Sequence, residues 1–324
     1  MIKVSVIIPT FNRGYILAEA IQSVLDQTYP HFELIIIDDG STDGTMAVVA
    51  GFQDARIRFA QHPKNAGVAA ARNTGLAVAQ GDLICFLDSD DLYKPEKLQV
   101  QVRFMDEHPE VGGVFSVLEW IRGARHVQSM LSGYPAFCRL LQKIRSGDEM
   151  IFPQHELYVC FLEEMPVKLD ATMLRRDSVQ NARPFQPSWQ SGEDWEFLLR
   201  FARTNGLGYV DHALAMVRTM PDSTLGRHKA KDAQSLLERF ILEKVQLQDD
   251  WKALEAIRRG IANHARELGS CCLDDGERGR AFRAYWRGFV HSNDPKLLTR
   301  CAGAVLPRRA RQLAKRLRIR KGRA

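Results

Sequence analysis

The first two thirds of the chain alternate between short apolar runs and segments of helical periodicity. Between the runs, apolar residues recur three and four positions apart, as Leu17, Ile21 and Val24 do. The runs have the composition of strands buried on both faces, and they are Val4–Ile8, Phe32–Ile37, Ile57–Phe59, Leu83–Leu87 and Val111–Ser116. Strands that alternate with helices predict an α/β fold with a mainly parallel, doubly wound sheet.

The hydrophobic pattern weakens in the middle of the chain and changes again towards its end. Residues 120–170 combine aromatic and charged side chains with little periodicity, so we expect loops of the kind that cover binding sites there. Residues 230–290 are helical in pattern, rich in charge and free of strand-like runs. We therefore predict a first domain over residues 1–220, with halves of about 1–117 and 118–220, and a helical C-terminal region over 221–324.

Acidic residues lie directly after two of the predicted strands. Asp38 and Asp39 follow the second strand, and Asp88 and Asp90 follow the run that ends at Leu87. Side chains two apart on an extended segment point the same way, so Asp88 and Asp90 can bind one cation. Oxygen ligands suit Mg²⁺ or Mn²⁺, whose open positions substrate phosphates fill. The alternative is that these acids only form a turn and cap the following helix.

The position of these acids favours a binding site over isolated turn residues. In sheets of this type, ligands bind at the carboxyl ends of the strands. Thr10 follows the first predicted strand, so its side chain is expected at the same edge as the acids. No GxGxxG pattern follows that strand, which argues against a dinucleotide-binding protein.

A further acidic pair, Glu193 and Asp194, opens a predicted helix. Two interpretations remain open for it. Asp194 can act chemically, or it can be the third-position partner of Ser191 in a variant of the capping box. Acids in the first turn of a helix are also favoured by the helix dipole.

The net charge of +6 is concentrated at the end of the chain. Residues 300–324 contain ten Lys and Arg and no acids, and removing these ten leaves 35 basic against 39 acidic residues, or about −4. A nucleic-acid-binding body is therefore not expected. Ala310, Leu313, Ala314 and Leu317 share one face of a basic segment, which predicts an amphipathic helix suited to an anionic membrane surface. The alternatives are a solvated tail or a helix docked on the acidic body.

The remaining composition predicts a cytoplasmic location, peripheral to the inner face of the membrane if the tail binds lipid. No apolar run approaches the roughly 20 residues that span a bilayer, and the N-terminal residues do not have the pattern of a signal peptide. The six cysteines show no metal-type spacing, as expected of reduced thiols in a cytoplasmic protein.

Five short motifs occur in an order that resembles the large family-2 glycosyltransferases with a GT-A fold. The motifs are residues 9–13 (Pro-Thr-Phe-Asn-Arg), 38–45 (Asp-Asp-Gly-Ser-Thr-Asp-Gly-Thr), 65–73, 88–91 (Asp-Ser-Asp-Asp) and 192–195 (Gly-Glu-Asp-Trp). Each motif is modestly specific, and the ordered set is highly specific. The resemblance covers about residues 1–220, and it identifies residues 1–117 as the nucleotide-sugar half and 118–220 as the acceptor half.

The resemblance implies transfer of a sugar from a nucleotide diphosphate sugar, with inversion at the anomeric carbon. The implied acceptor is a hydroxyl of a glycan or of a lipid-linked acceptor, as in bacterial surface-polysaccharide assembly. By the same resemblance Asp39 binds the base, typically uracil. Pro9 and Thr10 line that pocket, and Arg72 contributes to the donor site.

The resemblance also assigns the metal ligands and the catalytic base. Asp90 would be the main ligand of Mg²⁺ or Mn²⁺, with Asp88 near the metal or the ribose, and Asp194 would be the base. One departure is that family members often carry Tyr-Arg-x-His after the catalytic helix, whereas this chain has residues 217–220 as Val-Arg-Thr-Met. The histidine is thus replaced by Met220, with His228 only a distant candidate.

Two other classes of protein remain as alternatives. A nucleotidyltransferase that acts on sugar phosphates would share the fold and the acidic site, but it usually has a glycine-rich phosphate loop after the first strand. Residues 9–13 lack glycine. A non-catalytic scaffold could retain the nucleotide pocket, and it would not hydrolyse the donor.

Overall fold

A ten-stranded mixed sheet forms the centre of the first part of the chain. The computed structural model describes residues 2–122, 125–128, 133–189, 192–219, 229–247 and 249–305. The strands are β1 (Val4–Thr10), β2 (Phe32–Asp38), β3 (Ile57–Gln61), β4 (Leu83–Phe86), β5 (Leu92–Tyr93), β6 (Gly113–Arg122), β7 (Arg125–Gln128), β8 (Glu149–Phe152), β9 (Thr172–Arg175) and β10 (Leu207–Arg218). Their order is β3-β2-β1-β4-β9-β6-β10-β5, with β7 paired to β6 and β8 paired to β10.

Helices connect these strands and then form the end of the described chain. The helices are α1 (Leu17–Leu25), α2 (Thr45–Ala50), α3 (Val68–Val78), α4 (Lys97–Glu107), α5 (Pro135–Ile144), α6 (Gln154–Phe161), α7 (Arg176–Asn181), α8 (Glu193–Thr204), α9 (Lys229–Val245), α10 (Trp251–Asp274), α11 (Arg278–Ser292) and α12 (Pro295–Val305). A 3₁₀ turn, Leu169–Ala171, precedes β9.

The α/β class predicted from the sequence is confirmed, and the parallel order belongs to the first half of the sheet. β1 pairs in parallel with β2 and β4, and β2 pairs in parallel with β3. β9 then lies antiparallel between β4 and β6, while β10 is parallel to β6 and antiparallel to β5 and β8. Alternation of apolar runs predicts strands, but it does not give the direction of a strand whose partner is distant in sequence.

Helices cover both faces of the parallel half because successive side chains of β1 point to opposite faces. Val4, Val6 and Ile8 belong to one buried cluster with Leu17 and other residues of α1. On the opposite face α3 contacts β1. A Cβ atom at Gly75 would lie 2.5 Å from the Ile7 side chain, so the glycine allows close approach of the helix to the strand.

The expectation of loops over residues 120–170 is wrong for more than half of this region, which forms the end of β6 and all of β7, α5, β8 and α6. Each of these elements has only four to ten residues. Their aromatic side chains pack into one cluster with those of distant strands, with ring centroids 5.2–6.1 Å apart among Phe115, Phe137, Phe152 and Tyr209. Elements this short do not produce a long periodic window, which is why the sequence pattern missed them.

The chain divides into two compact units, Met1–Ser223 and Thr224–Ala324. In the second unit α9 packs on α10, α10 on α11 and α11 on α12. Gly269 of α10 allows the Tyr285 ring of α11 to approach, because a Cβ there would lie 2.2 Å from that ring. The functional division predicted at residues 117 and 220 stays a prediction. None of the helices in the described part of the chain is both long and apolar enough to cross a bilayer.

Candidate functional site

The candidate site lies at the carboxyl ends of β1, β2 and β4. The last residue of β1, Thr10, is in register with Asp38 at the end of β2, and its carbonyl accepts a hydrogen bond of 2.8 Å from the Asp39 amide. Pro9 and Thr10 are both buried. The Thr10 hydroxyl has no hydrogen-bond partner among the described residues. A buried polar atom of this kind needs an explanation, and a bound polar ligand provides one.

Asp39 is surrounded by donors from the loop that precedes α3. Its carboxylate accepts hydrogen bonds from the amides of Ala66 (2.9 Å) and Gly67 (2.8 Å). It also lies 2.7 Å from the Nδ1 atom of His62. Gly67 has a φ of 93°, a left-handed conformation that favours glycine. Asp39 therefore fixes the shape of this loop.

Asp38 and Asp43 hold the turn that follows β2. Asp38 accepts from the Ser41 amide (3.0 Å) and hydroxyl (2.5 Å) and from Gln61 (2.9 Å). Burial acts to raise the pKa of Asp43, but hydrogen bonds from Thr45 and other nearby donors prevail and hold that pKa below its usual value. We call Asp38, Asp39 and Asp43 the anchoring acids.

A second group of acids is crowded together. Carboxylate oxygens of Asp88, Asp91 and Asp170 lie within 4.8 Å of one another, and we call these three residues the carboxylate cluster. Asp88 and Asp91 follow β4, and Asp170 comes from the 3₁₀ turn before β9. The Asp88 amide donates to Asp170 at 2.8 Å, and the Arg218 amide donates to Asp91 at 2.8 Å.

The pKa values of the cluster show that its negative charge is poorly compensated. Burial and the neighbouring Asp88 raise the pKa of Asp170 to about 7. Burial and the charge of Asp170 raise the pKa of Asp91 well above its usual value. Burial acts to lower the pKa of Lys168, but Asp170 and Asp91 raise it overall. Lys168 thus faces these carboxylates, and so does Arg72, whose guanidinium donates to Asp88 at 2.8 Å. Because the pKa values of Asp91 and Asp170 stay raised, these two cations do not fully offset the repulsion, and a divalent cation would do so.

Asp90 lies beside the cluster. Burial and the charge of Asp88 raise its pKa, although Arg13, whose guanidinium lies 3.8 Å from the Asp90 carboxylate, acts in the opposite direction. The donor set of Asp88, Asp90, Asp91 and Asp170 consists of oxygen only, and it fits Mg²⁺ or Mn²⁺. The assignment of Asp90 and Asp88 as metal ligands stays a prediction.

The sequence analysis did not assign Asp91 or Asp170 to the site. Asp91 had a signal, since it is the third acid after β4. Asp170 had none, because it is 82 residues from Asp88 and lies in the region predicted as loops.

Lys97 and Gln101 of α4, both buried, were also missed. Lys97 donates to the Thr172 carbonyl at 3.1 Å and Gln101 to the Ala171 carbonyl at 2.8 Å, so both hold the backbone beside Asp170.

Arg72 connects the cluster to the first turn of α8. Its buried guanidinium donates to Asp88 at 2.8 Å and to Glu193 at 2.7 Å. Burial acts to lower the pKa of Arg72, but the charges of Asp88 and Glu193 raise it, so the side chain stays cationic. The predicted contribution of Arg72 to a donor pocket stays a prediction, and its described partners are these two carboxylates.

Asp194 is the second residue of α8. The N-cap residue of this helix is Gly192, with a φ of 75°, so the alternative with Ser191 as N-cap is not the arrangement found; Ser191 itself lies outside the described residues. The Asp194 carboxylate accepts from the Trp195 amide at 2.8 Å. The indole of Trp195 donates to the Phe161 carbonyl at 3.1 Å, so this ring packs against the protein.

A comparison with protein families shows to which family this chain belongs. Residues 5–181, more than half of the chain, match the family described as Glycosyl transferase family 2. The chain belongs to glycosyl transferase family 2. Arg218, which the resemblance aligns with the arginine of the Tyr-Arg-x-His pattern, donates its amide hydrogen to Asp91 of the carboxylate cluster, whereas Met220 and His228 lie outside the described residues.

Two bacterial glycosyltransferases are similar in sequence to parts of this chain. An uncharacterized glycosyltransferase of Rickettsia felis is 37% identical over 217 residues, which are 67% of this chain and 33% of that protein. The Escherichia coli protein WfgD, a UDP-Glc:α-D-GlcNAc-diphosphoundecaprenol β-1,3-glucosyltransferase, is 43% identical over 102 residues, 32% of this chain and 40% of that protein. This chain therefore matches less than half of the length of either relative.

The crystal structure of S. aureus TarS 1–349 in complex with UDP-GlcNAc is similar in fold. The superposition of the two structures has a TM-score of 0.69 and covers 91% of this chain and 83% of the TarS chain, and the two sequences are 21% identical. At this identity the likeness concerns the fold, and the predicted GT-A fold is confirmed. Because the first unit ends at Ser223, a match of this extent also includes much of the helical unit.

Proposed function

We propose that this chain is an inverting glycosyltransferase that transfers a sugar from a nucleotide diphosphate sugar, UDP-linked, to a hydroxyl of a glycan or lipid-linked acceptor. The observation that carries the proposal is the pair of separate acidic centres joined by Arg72. The carboxylate cluster lies at the strand ends, and Asp194 opens the helix beyond Glu193. The complex of TarS with UDP-GlcNAc and the name of WfgD, which specifies UDP-Glc, support a UDP-linked donor.

The cluster serves the leaving group in this proposal. Asp88 and Asp90 would hold the divalent cation, and Asp91 and Asp170 would add negative charge beside it. When bound, Mg²⁺ or Mn²⁺ neutralises the charge that develops on the diphosphate as the glycosidic bond breaks. Arg72 keeps Asp88 in place through the 2.8 Å hydrogen bond. The Lys97 and Gln101 contacts fix the backbone that carries Asp170.

Asp194 serves the acceptor in this proposal. The acceptor hydroxyl oxygen forms a bond to the anomeric carbon while the bond from that carbon to the diphosphate oxygen breaks. The hydroxyl proton passes to the Asp194 carboxylate, which acts as general base. A single displacement of this kind inverts the anomeric carbon. The first turn of α8 favours a negative charge at this position.

The nucleoside end of the donor is assigned to β1 and β2. Pro9 and Thr10 line the pocket, and Asp39 recognises the base. The unpartnered Thr10 hydroxyl supports this assignment. Asp39 already accepts two amide hydrogen bonds from Ala66 and Gly67, but a carboxylate has about four acceptor positions, so it can also accept from a base.

Acceptor and location are proposed together. A lipid-linked acceptor requires access to the inner face of the membrane, and the basic tail, residues 308–324, provides an anionic-lipid contact. The tail lies outside the described residues. Deleting residues 308–324 should weaken flotation of the protein with anionic vesicles without lowering turnover on a soluble acceptor, and equal flotation of both forms would contradict the tail's role.

The transferase is tested first by donor binding and then by turnover. UDP-, GDP- and dTDP-sugars are screened with and without Mn²⁺ for thermal stabilisation, since a ligand that binds the native state raises the melting temperature. Slow release of UDP from the selected donor without acceptor is expected of a transferase. A scaffold releases none, and a nucleotidyltransferase instead forms pyrophosphate from UTP and a sugar phosphate. Either of these outcomes overturns the proposal.

A further inference from the structure

The helical unit contains a cavity that the proposed transfer reaction does not use. The cavity has a volume of about 360 Å³ and lies among α9, α10 and α11. This volume is within the range of roughly 300–1,000 Å³ found for small-molecule sites. Part of the wall is apolar, and its side chains are Leu237, Leu268, Cys272 and Ala284. The rest is polar and consists of Gln234, Glu238 and three arginines of α11.

The three arginines form a row on one face of α11. Arg280, Arg283 and Arg287 are three and four residues apart, so they lie on successive turns. Arg280 donates to Glu277 at 2.6 Å, while the ion pair of Arg287 with Glu238 is longer, at 3.4 Å. Arg283 has no hydrogen bond or ion pair among the described residues. Glu238 is the acid among the described residues that line the cavity, so positive charge predominates there.

The helical unit also carries exposed apolar side chains on α11 and at the start of α10. Trp286 and Val290 are three and seven residues after Arg283, and they are 48% and 50% exposed. Trp251, at the start of α10, is 69% exposed. Exposed tryptophan combined with arginine is typical of segments that lie at the interface between a membrane and water, where the ring enters the headgroup region and the cation meets phosphate.

We propose that this cavity binds the phosphate-bearing headgroup of an anionic phospholipid and so docks the helical unit on a membrane surface. Guanidinium groups bind phosphate oxygens with two parallel hydrogen bonds, which suits Arg283 and Arg287 in the wall of the cavity. The apolar wall and Trp286 fit the glycerol and the upper acyl chain. A free phosphate would use the polar wall alone.

Charge-matched variants of the full-length protein test this proposal. The pocket variant is Arg283→Gln/Arg287→Gln. The control is Arg103→Gln/Arg259→Gln, which removes two exposed arginines that pair with Glu149 and Glu255 elsewhere. Both variants keep the basic tail, so its contribution cancels. Partitioning onto vesicles of phosphatidylcholine with phosphatidylglycerol is measured by sedimentation at physiological salt.

The pocket variant should bind these vesicles about 25-fold more weakly than the wild type, since a basic residue at an anionic surface contributes about fivefold in affinity. The control should stay within about twofold, because neither Arg103 nor Arg259 lines the cavity. Equal weakening of both variants would overturn the proposal. So would full competition by millimolar inorganic phosphate, or tighter binding of single-stranded RNA than of vesicles.

Thermal unfolding and donor hydrolysis provide the independent controls. The substituted arginines are exposed, so the melting temperature should not change, and UDP release in solution should equal that of the wild type. If the protein hydrolyses no donor but the pocket variant still binds vesicles 25-fold more weakly than the wild type, the transferase proposal is rejected and the lipid-site proposal stands. The two proposals therefore fail separately.

Discussion

Two groups of acidic side chains lie at the carboxyl end of the same sheet, and they differ in how closely their carboxylates crowd one another. The anchoring acids accept hydrogen bonds from nearby amides and hydroxyls, with two backbone amides on Asp39 alone. The carboxylate cluster places three carboxylates within 4.8 Å of one another, with pKa values raised by burial and by mutual repulsion at Asp91 and Asp170.

The difference teaches that position at a strand end does not by itself identify a cation site. The number of hydrogen-bond donors relative to the number of carboxylates is what identifies a cation site. Where donors from the chain satisfy the oxygens, the acid shapes a loop. Where carboxylates face each other, folding brings together charges that repel, and a divalent cation relieves that repulsion.

The largest expected effect concerns Asp194, which belongs to neither group. Asp194→Asn should lower the transfer rate about 100-fold or more, because the amide cannot take a proton. Stability and UDP affinity should stay near those of the wild type, since the Asn oxygen can accept the 2.8 Å hydrogen bond from the Trp195 amide. Steady-state kinetics, thermal unfolding and calorimetry measure the three quantities. Near-normal turnover would return Asp194 to a structural role and move the assignment to Glu193.

Removing a carboxylate beside the cluster should act on metal-dependent binding. Asp90→Ala should weaken UDP binding in the presence of Mn²⁺ by at least about tenfold, since even indirect metal contacts cost that much. The matched control is Asp43→Ala, which removes an anchoring acid from the same edge and should keep the Mn²⁺ dependence. Calorimetric titration with and without Mn²⁺ distinguishes them. Undiminished Mn²⁺-dependent affinity in Asp90→Ala would reject this ligand assignment.

The repulsion within the cluster should appear as a pH dependence of stability in metal-free protein. The pKa of Asp170 is about 7 in the folded chain and about 3.9 when unfolded, so the folded state binds more protons between these values. Stability should therefore fall as the pH rises, by on the order of 2 kcal/mol between pH 5 and pH 7. Chemical denaturation across this pH range measures it.

Asp170→Asn should flatten this pH dependence and raise the stability of metal-free protein at pH 7. The exposed Asp148→Asn serves as the control and should change neither quantity. Adding Mn²⁺ should stabilise the wild type more than Asp170→Asn, because the ion interacts with the charged carboxylate. A loss of stability in metal-free Asp170→Asn at pH 7 would contradict the view that the cluster is uncompensated.

The sequence predicted the first strands of the sheet and the acids at the ends of β2 and β4, but it did not predict the part of the site contributed by Asp170. Asp38, Asp39 and Asp88 were placed correctly at strand ends because apolar runs end abruptly there. Asp170 could not be found this way. It reaches Asp88 through antiparallel β9, and its position depends on contacts from Lys97 and Gln101 of a helix about 70 residues earlier. Contacts at that distance leave no periodic signal.

The smallest expected effect concerns an anchoring acid. It should be a loss of stability, whereas Asp170→Asn should give a gain. Asp39→Asn replaces one acceptor oxygen with an NH₂ group, so one of the amides of Ala66 and Gly67 loses its partner. The loss of a part-buried hydrogen bond to a charged acceptor should lower the free energy of unfolding by about 1–2 kcal/mol. Because this bond does not involve a cation, the loss should be the same with and without Mn²⁺. The same denaturation series that tests Asp170→Asn measures it. If Asp39→Asn instead stabilises metal-free protein, Asp39 belongs with the uncompensated carboxylates, and the distinction between the two groups fails at the residue assigned to the base.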